Sequence, residues 1–141
     1  MIKKSSLVAI AGSLLLVAAL PLAAAAQDEK KTFYWISHGS PADPVWNYFL
    51  DGANQWAADT GHQVNTSFWS NEVAPHQEAV RSAIAAGADG IVTTTPDKNT
   101  LNEVVDEARA AGIPVININT PDDAVNFNAY VGTNNVIVGE R

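Results

Sequence analysis

Two hydrophobic periods alternate along most of this sequence, and this alternation limits the fold more than any other feature. Short apolar segments rich in aromatic and β-branched residues predict strands, and segments with apolar residues three and four positions apart predict helices. The strands are predicted at 33–38, 63–69, 91–95, 114–118 and 129–131, and the helices at 44–61, 75–86 and 99–111. Strands that recur at intervals of about 30 residues are typical of βαβ units. The sequence therefore predicts a doubly wound α/β fold, in which helices cover both faces of a parallel sheet.

The first helix has the clearest start and stop signals. Asp43 suits the N-cap, Pro44 suits the first turn, and Gly61 suits the end of the helix. Its apolar residues fall on one stripe, which is predicted to face the sheet: Trp46, Phe49, Leu50, Ala53 and Ala57.

The predicted sheet indicates where a ligand would bind. In open parallel sheets, ligands bind outside the carboxyl ends of the strands. The loops at that edge collect neutral polar, acidic and aromatic side chains: His38, Asp43, Trp46, Asp97, Asn119, Asp122 and Asn134. The hydroxyl groups of a sugar both donate and accept hydrogen bonds, and its C–H face packs on an aromatic ring. This mixture of side chains therefore favours a sugar or another polyol.

Five of these residues are predicted to contact the ligand, and each has a structural alternative. Asp43 could serve only as the helix cap, Trp46 could belong to the core, and Asn119 could belong to a turn. His38 could cap a neighbouring helix or hold its loop, and Asp97 could be a turn or cap residue. The sequence leaves these alternatives open.

Residues 1–26 have the composition of a secretory signal. Lys3 and Lys4 form a positive start, the run 7–20 is almost entirely apolar, and Ala24–Ala26 supplies the small residues of a cleavage site. The alternative is a retained membrane anchor, but the run is shorter than the roughly 20 residues that a bilayer span needs. We expect the signal to be cleaved and the chain to be exported to the periplasm.

Charge and cysteine content exclude several partners and chemistries. Fifteen acidic residues outnumber eight basic ones, which gives a net charge of −7. Nucleic acid and anionic lipid are therefore poor partners, and removal of the signal lysines would make the chain more acidic. The chain has no cysteine, which excludes disulfides, thiolate metal sites, a Cys nucleophile and a lipidated Cys. Without a lipid anchor, the exported chain is expected to move freely in the periplasm.

The predicted edge loops contain no catalytic motif. The first strand leads into a His-Gly-Ser-Pro segment and not into a glycine-rich phosphate loop, and the sequence has no Gly-x-Ser-x-Gly element. The three histidines, His38, His62 and His76, have no Cys partner and no His four residues away. We therefore expect no cofactor, no metal and no enzymatic activity. His62 and His76 are predicted to be structural and to lie away from the binding edge.

Several short motifs, in their order along the chain, resemble one family. They are Asp43–Trp46, Leu50–Ala53, Gly87–Val92 leading to Pro96 and Asp97, Ala110–Ile116 and Tyr130–Asn135. From Lys31 onward the sequence is similar to the amino-terminal lobe of the periplasmic sugar-binding proteins of the ribose-binding type, which deliver ligand to ABC importers. The turn at His38 and Gly39 is similar to that of simple-sugar transporters, which implies a monosaccharide or a sugar alcohol as ligand.

The resemblance carries over individual residues and also has departures. The family's Asn-Pro-Phe-Phe segment matches Asp43–Trp46, which implies that Trp46 stacks on the ligand, whereas Val45 replaces the other aromatic residue. The family's Asp-Arg pair after the fourth strand matches Asn119 and Thr120, which retain a polar group and lose both charges. These departures leave room for a ligand other than ribose.

The resemblance implies capture of a small sugar between two lobes, followed by docking of the closed protein on a membrane permease. Residues 27–141 are expected to form the amino-terminal lobe of a monomer, with the second lobe missing, so that the chain is a fragment. Two alternatives remain open. One is an exported sensor that presents its ligand to a receptor, and the other is a small flavodoxin-like α/β enzyme.

Overall fold

Strands and helices alternate along the part of the chain that the computed structural model describes, residues 29–133 and 138–139. The elements are β1 (Thr32–Ser37), α1 (Pro44–Thr60), β2 (Gln63–Phe68), α2 (Val73–Ala85), β3 (Gly90–Thr93), α3 (Asn102–Ala110), β4 (Val115–Ile118) and β5 (Ala129–Val131). The predicted signal, residues 1–26, and the edge residue Asn134 lie outside the described residues. Within the described part, no helix is both long and apolar enough to cross a bilayer.

The strands form one parallel sheet in the order β2-β1-β3-β4-β5. The register places Ser37 beside Phe68, Ile36 beside Thr93, and Thr93 beside Asn117. The carboxyl ends of the strands therefore meet at one side of the sheet, which we call the carboxyl edge. This arrangement confirms the predicted doubly wound α/β fold.

Helix α1 has the ends that its sequence predicts. The carboxylate of Asp43 accepts a hydrogen bond from the backbone N–H of Val45 at 3.1 Å, so Asp43 is the N-cap. Gly61 follows the last turn with a φ of 74°, the left-handed conformation that glycine adopts at low cost. These two residues fix where the chain leaves β1 and where it enters β2.

The starts of α2 and α3 differ from the predicted positions for local reasons. Helix α2 begins at Val73, and Pro75 lies in its first turn, where the missing N–H would have no partner in any case. Helix α3 begins at Asn102 and not at Asn99, because Asn99 has a φ of 62° and cannot continue a right-handed helix. The residues between Asp97 and α3 form a turn instead.

The main core lies between the sheet and helices α2 and α3. Its fully buried members come from three strands and both helices, and include Ile36, Ile91, Val115, Val80, Val104 and Val105. At the surface, Arg81 of α2 lies 2.9 Å from the carboxylate of Glu107 and 3.3 Å from that of Glu103, both on α3. The two helices therefore pack as a pair and cover one face of the sheet.

The opposite face of the sheet is covered only in part. The connection from β1 to β2 runs toward one end of the sheet, and those from β2 to β3 and from β3 to β4 run toward the other. Because crossovers are right-handed, α1 is the described helix on this face, which we call the α1 face. An open apolar cavity of about 360 Å³ lies beside α1, lined by Phe33, Phe49, Ala53, Trp56, Val64, Val92, Ile116 and Ile118.

Helix α1 is itself less buried than its apolar stripe suggests. Trp46 is 6% exposed, whereas Phe49 remains 38% exposed and Trp56 41% exposed. Phe49 and Trp56 face the cavity, and among the described residues no second helix packs beside them. The apolar side of α1 is therefore half-exposed along most of its length.

The start of α1 packs closely on the loop that follows β1. Trp46 lies so near Gly39 that a Cβ atom at that position would overlap the indole ring. The same ring meets His38 edge-on with the ring centroids 5.2 Å apart, and lies 5.5 Å from the ring of Phe49. The absence of a side chain at Gly39 is thus what allows α1 to dock on this loop.

We expect Gly39→Ala to lower the free energy of unfolding by about 1–3 kcal/mol, because the new methyl group must displace a buried indole ring. Gly52→Ala is the matched control, since nothing lies within 4 Å of a Cβ atom there and the position is exposed on α1. That variant should be stabilised by up to about 1 kcal/mol through helix propensity. Urea unfolding followed by tryptophan fluorescence measures the free energy of unfolding of both variants. A Gly39→Ala variant as stable as the wild type would contradict the close approach of the Trp46 ring to Gly39.

Candidate functional site

Buried polar side chains gather at the carboxyl edge, where strands β1, β3 and β4 end. Ser37, Thr93, Thr94, Thr95 and Asn117 are all almost fully buried. Such groups are tolerated inside a protein when they are hydrogen-bonded. We call these five residues, together with His76, the edge cluster.

His38 connects the edge cluster to the surface. Its backbone N–H donates to the hydroxyl of Thr94 at 2.8 Å, and its ring Nδ1 lies 2.6 Å from the same oxygen. The ring is half-buried and packs edge-on against Trp46. Burial lowers the pKa of His38 below its ordinary value, because the charged imidazolium is poorly solvated there. His38 is therefore a fixed neutral polar group beside an aromatic ring.

Backbone hydrogen bonds join the loops that follow β1 and β2. The N–H of Trp69 donates to the carbonyl of Ser37 at 2.9 Å, that of Ser70 to Gly39 at 3.0 Å, and that of Asn71 to His38 at 2.7 Å. Ser70 and Asn71 have φ values of 45° and 63°, so the chain turns sharply here. These bonds fix the backbone under His38, and with it the direction in which its side chain leaves the chain.

His76 lies beneath this surface, in the first turn of α2. Its side chain is fully buried, and Nε2 lies 2.8 Å from the hydroxyl of Thr93, which donates in turn to the carbonyl of Thr94 at 3.3 Å. Nδ1 is buried without a hydrogen-bond partner in the described residues. Burial, with a smaller contribution from repulsion by His38, lowers the pKa of His76 to about 4.

The prediction that His76 lies away from the binding edge is wrong. A helix that follows a parallel strand begins at the carboxyl end of that strand, and His76 is in the first turn of such a helix. It therefore contacts Thr93 at the end of β3. His62, by contrast, precedes β2 at the opposite edge, where its Nδ1 accepts a hydrogen bond from the backbone N–H of Lys31 at 3.3 Å.

Asn117 positions the loop after β4. The hydroxyl of Thr95 donates to its side-chain oxygen at 3.4 Å, and its amide donates to the carbonyl of Thr120 at 2.8 Å. The adjacent Asn119 has a φ of 69°, which turns the chain out of the strand. Its exposed side chain accepts a hydrogen bond from the hydroxyl of Thr120 at 2.9 Å.

Asn119 lies on the wall of an open cavity of about 460 Å³ at the carboxyl edge, beside Phe49 of α1. The rest of the wall comes from the loop after β4, the last residue of β5 and the loop after β5: Thr120, Pro121, Val131, Gly132 and Thr133. Phe49 also contacts Trp46. The cavity therefore continues the surface that His38 and Trp46 begin.

The two predicted acidic contacts also have local structural partners. Asp43 caps α1, as described above. Asp97 is exposed, and its side chain accepts from the N–H of Lys98 at 2.8 Å, while its carbonyl accepts from the hydroxyl of Thr100 at 2.6 Å. The buried Asp122 accepts from the N–H of Asn99 at 2.8 Å and so joins the loops after β3 and β4.

The structure brings some of the predicted contact residues together. His38 and Trp46 touch, Asp43 is joined to Trp46 by a backbone hydrogen bond of 3.1 Å, and Asn119 is linked to them through Phe49. No hydrogen bond within residues 29–133 joins Asp97 to the other four. Trp46 is largely buried, so the partly exposed Phe49 presents more aromatic surface to the cavity.

Sequence reasoning missed the edge cluster itself. The signal was present as polar residues at the ends of apolar strands, in the run Thr93–Thr95 and at Asn117 between two isoleucines. In the described part of the chain, no group of three or more His, Cys, Asp or Glu side chains could hold a metal ion. In front of the buried cluster, His38 and Asn119 offer neutral hydrogen-bonding groups beside the rings of Trp46 and Phe49, which suits a neutral polyhydroxyl ligand.

A family model described as a periplasmic binding protein domain matches residues 33–141. The chain belongs to the periplasmic binding protein family. The resemblance to this family that the motifs predict is thereby confirmed. A search of curated protein sequences gave no match.

Several solved structures share the fold of this chain. The periplasmic sugar-binding protein of an ABC sugar transporter from Legionella pneumophila is 26% identical, with a TM-score of 0.73, over 79% of this chain and 42% of that one. The XylFII molecule is 28% identical, with a TM-score of 0.71, over 79% of this chain and 41% of that one. A solute-binding protein from Agrobacterium radiobacter was solved in complex with D-arabinose. It is 24% identical, with a TM-score of 0.71, over 79% of this chain and 38% of that one. The chain thus spans about two fifths of the length of these structures.

We expect the buried His76 to make folding sensitive to acid. The unfolded chain binds a proton at its ordinary pKa of 6.5, whereas the folded chain resists protonation until about pH 4. The contribution of neutral His76 to the free energy of unfolding is therefore complete above about pH 6.5. It is lost as the pH falls toward 4, and the loss is at most about 3 kcal/mol.

Urea unfolding of the periplasmic binding protein and its His76→Gln variant between pH 7 and pH 4 measures this contribution. The variant should lose less stability over that range. His62→Gln, at the opposite edge of the sheet, controls for loss of a histidine elsewhere. A His76→Gln variant with an unchanged pH dependence would show that His76 is not the group responsible.

Proposed function

We propose that this chain is the amino-terminal lobe of a periplasmic substrate-binding protein that captures a monosaccharide or sugar alcohol for an ABC permease. The position of His38 above the buried edge cluster carries the proposal. The cluster holds His38 from behind, so that His38 is a fixed neutral polar group at the edge where open α/β sheets bind their ligands. The likeness to the Legionella pneumophila sugar-binding protein supports the sugar class, and the predicted signal supports the periplasm.

The proposed ligand wall consists of His38, Asp43, Asn119 and the aromatic Phe49, with Trp46 behind it and Asp97 at its margin. Each neutral hydrogen bond to a sugar hydroxyl contributes about 0.5–1.5 kcal/mol, and a bond to a carboxylate contributes more. One such wall open to water is insufficient for tight binding. A second wall would exclude water and strengthen each bond.

We assign the second wall to a second lobe of the same protein. The chain spans only 42% of the length of the Legionella pneumophila structure.

The α1 face presents a half-exposed apolar surface beside α1. Right-handed crossovers from β2 onward place their helices on the other face. A helix for the α1 face must therefore return from a distant part of the chain, and an amphipathic helix with an apolar stripe suits its aliphatic and aromatic lining.

A sensor that presents its ligand to a receptor is the second candidate. XylFII, which is 28% identical to this chain, has also been solved as a XylFII–LytSN complex. Neighbouring genes distinguish the two roles. Permease and ATPase genes beside this one favour import, whereas a receptor or kinase gene without transporter genes favours sensing.

We expect residues 27–141 alone to bind D-ribose, D-glucose and glycerol only in the millimolar range by calorimetry. In the protein that includes the second lobe, Phe49→Ala and Asn119→Ala should each weaken binding of the responding sugar by about tenfold, because each removes about 1.4 kcal/mol of contact. Tyr48→Ala is the matched control, since Tyr48 is 78% exposed and is absent from the cavity wall. Micromolar binding by residues 27–141 alone would contradict the need for a second wall.

We expect residues 27–141 to bind the dye ANS through the α1 face, because ANS fluoresces on exposed apolar surface. Ile118→Thr should reduce the fluorescence, since Ile118 lines the apolar cavity. Tyr48→Thr, away from that cavity, should leave it unchanged. The protein that includes the second lobe should bind little ANS. Equal dye binding by the long and the short protein would argue against a helix that covers this face.

A further inference from the structure

Two hydrogen bonds from one histidine converge on a single buried hydroxyl. The backbone N–H of His38 lies 2.8 Å from Thr94 Oγ1, and the ring Nδ1 of His38 lies 2.6 Å from it. The side chain of Thr94 is fully buried. A hydroxyl has one proton to donate and two lone pairs that accept. The backbone N–H can only donate, so it occupies one lone pair of Oγ1.

In the second hydrogen bond, either Nδ1 of His38 or Oγ1 of Thr94 is the donor. If Nδ1 carried the proton, the hydroxyl proton of Thr94 would need another acceptor. The described residues give this hydroxyl hydrogen bonds to His38 alone. An unmatched buried hydroxyl proton is strongly disfavoured. If Oγ1 donates to Nδ1, both partners are satisfied and the ring proton is on Nε2.

The imidazolium form has the same difficulty, because it also carries a proton on Nδ1. Burial disfavours the charged ring as well. In the described residues the His38 ring has Thr94 as its hydrogen-bond partner and Trp46 as its ring partner, and neither is acidic. The neutral ring with its proton on Nε2 is therefore the form that this environment stabilises.

We propose that Thr94 is a positioning residue that holds His38 as the neutral Nε2–H tautomer, so that His38 offers the ligand a hydrogen-bond donor. Thr94 lies behind His38 and does not itself reach the ligand. The role of His38 as a contact rests on the proposed function, in which a sugar hydroxyl oxygen accepts this proton. The tautomer itself follows from the hydrogen bonds alone.

His76 provides an internal comparison. The hydroxyl of Thr93 donates to the carbonyl of Thr94 at 3.3 Å, so it accepts from His76 Nε2 at 2.8 Å. His76 is thus also an Nε2–H tautomer, but here the threonine accepts from Nε2, whereas Thr94 donates to Nδ1. Removal of the Thr94 hydroxyl should therefore change the tautomer of His38 and leave that of His76 unchanged. Removal of the Thr93 hydroxyl should leave the tautomer of His38 unchanged.

Long-range proton–nitrogen correlation NMR on the nitrogen-15-labelled protein at pH 7 reads the tautomer of each ring. We expect His38 to show the Nε2–H pattern in the wild type and in Thr94→Ser, which retains the hydroxyl. Thr94→Val should shift His38 toward a mixture of tautomers, and Thr93→Val should leave His38 unchanged. A wild-type His38 with its proton on Nδ1, or a Thr94→Val variant with an unchanged pattern, would overturn the proposal.

Binding of D-ribose, D-glucose and glycerol to the protein with its second lobe separates this proposal from the proposed function. Thr94→Val should weaken binding of the responding sugar by about tenfold, and Thr94→Ser should restore it. If a sugar binds and Thr94→Val leaves its affinity unchanged, the positioning role is wrong. If none of the three binds while the NMR patterns are as expected, the choice of ligand class fails and the tautomer assignment stands.

Discussion

The parallel pairing of β1 with β2 on one side and with β3 on the other is the constraint on which the rest of the site depends. It brings the carbonyls of residues 37–39 to the N–H groups of residues 69–71, and it brings Thr94 under His38. Because buried backbone and hydroxyl groups must be hydrogen-bonded, the loop after β1 has little freedom. The sheet therefore holds the surface that carries His38 and Trp46 in position.

The same topology explains why one face of the sheet is well packed and the other is not. Successive crossovers from β2 to β4 run in one direction, and their common handedness places α2 and α3 on one face. Only the crossover from β1 to β2 places a described helix on the α1 face. The α1 face is therefore only partly covered in the described part of the chain, and Phe49 and Trp56 remain partly exposed there.

Much of the fold could be predicted from local pattern. The strands follow from short apolar runs, and α1 follows from a capping Asp43 and a terminal Gly61, because these signals act within a few residues of each other. The starts of α2 and α3 were less predictable, since turn residues such as Asn99 compete with helix propensity there. The candidate site was predictable as a set of loops at one edge, but the predicted roles of its five residues remain predictions.

The sequence by itself determined the order of the elements, the ends of α1 and the motifs of the family, because each depends on neighbouring residues. Only the tertiary structure decided which polar groups share a hydrogen bond. His38 and Thr94 are 56 residues apart in the chain, and His76 and Thr93 are 17 residues apart. Strand order and register bring them together, and because water is excluded from the buried edge, each polar proton there requires an acceptor within the protein.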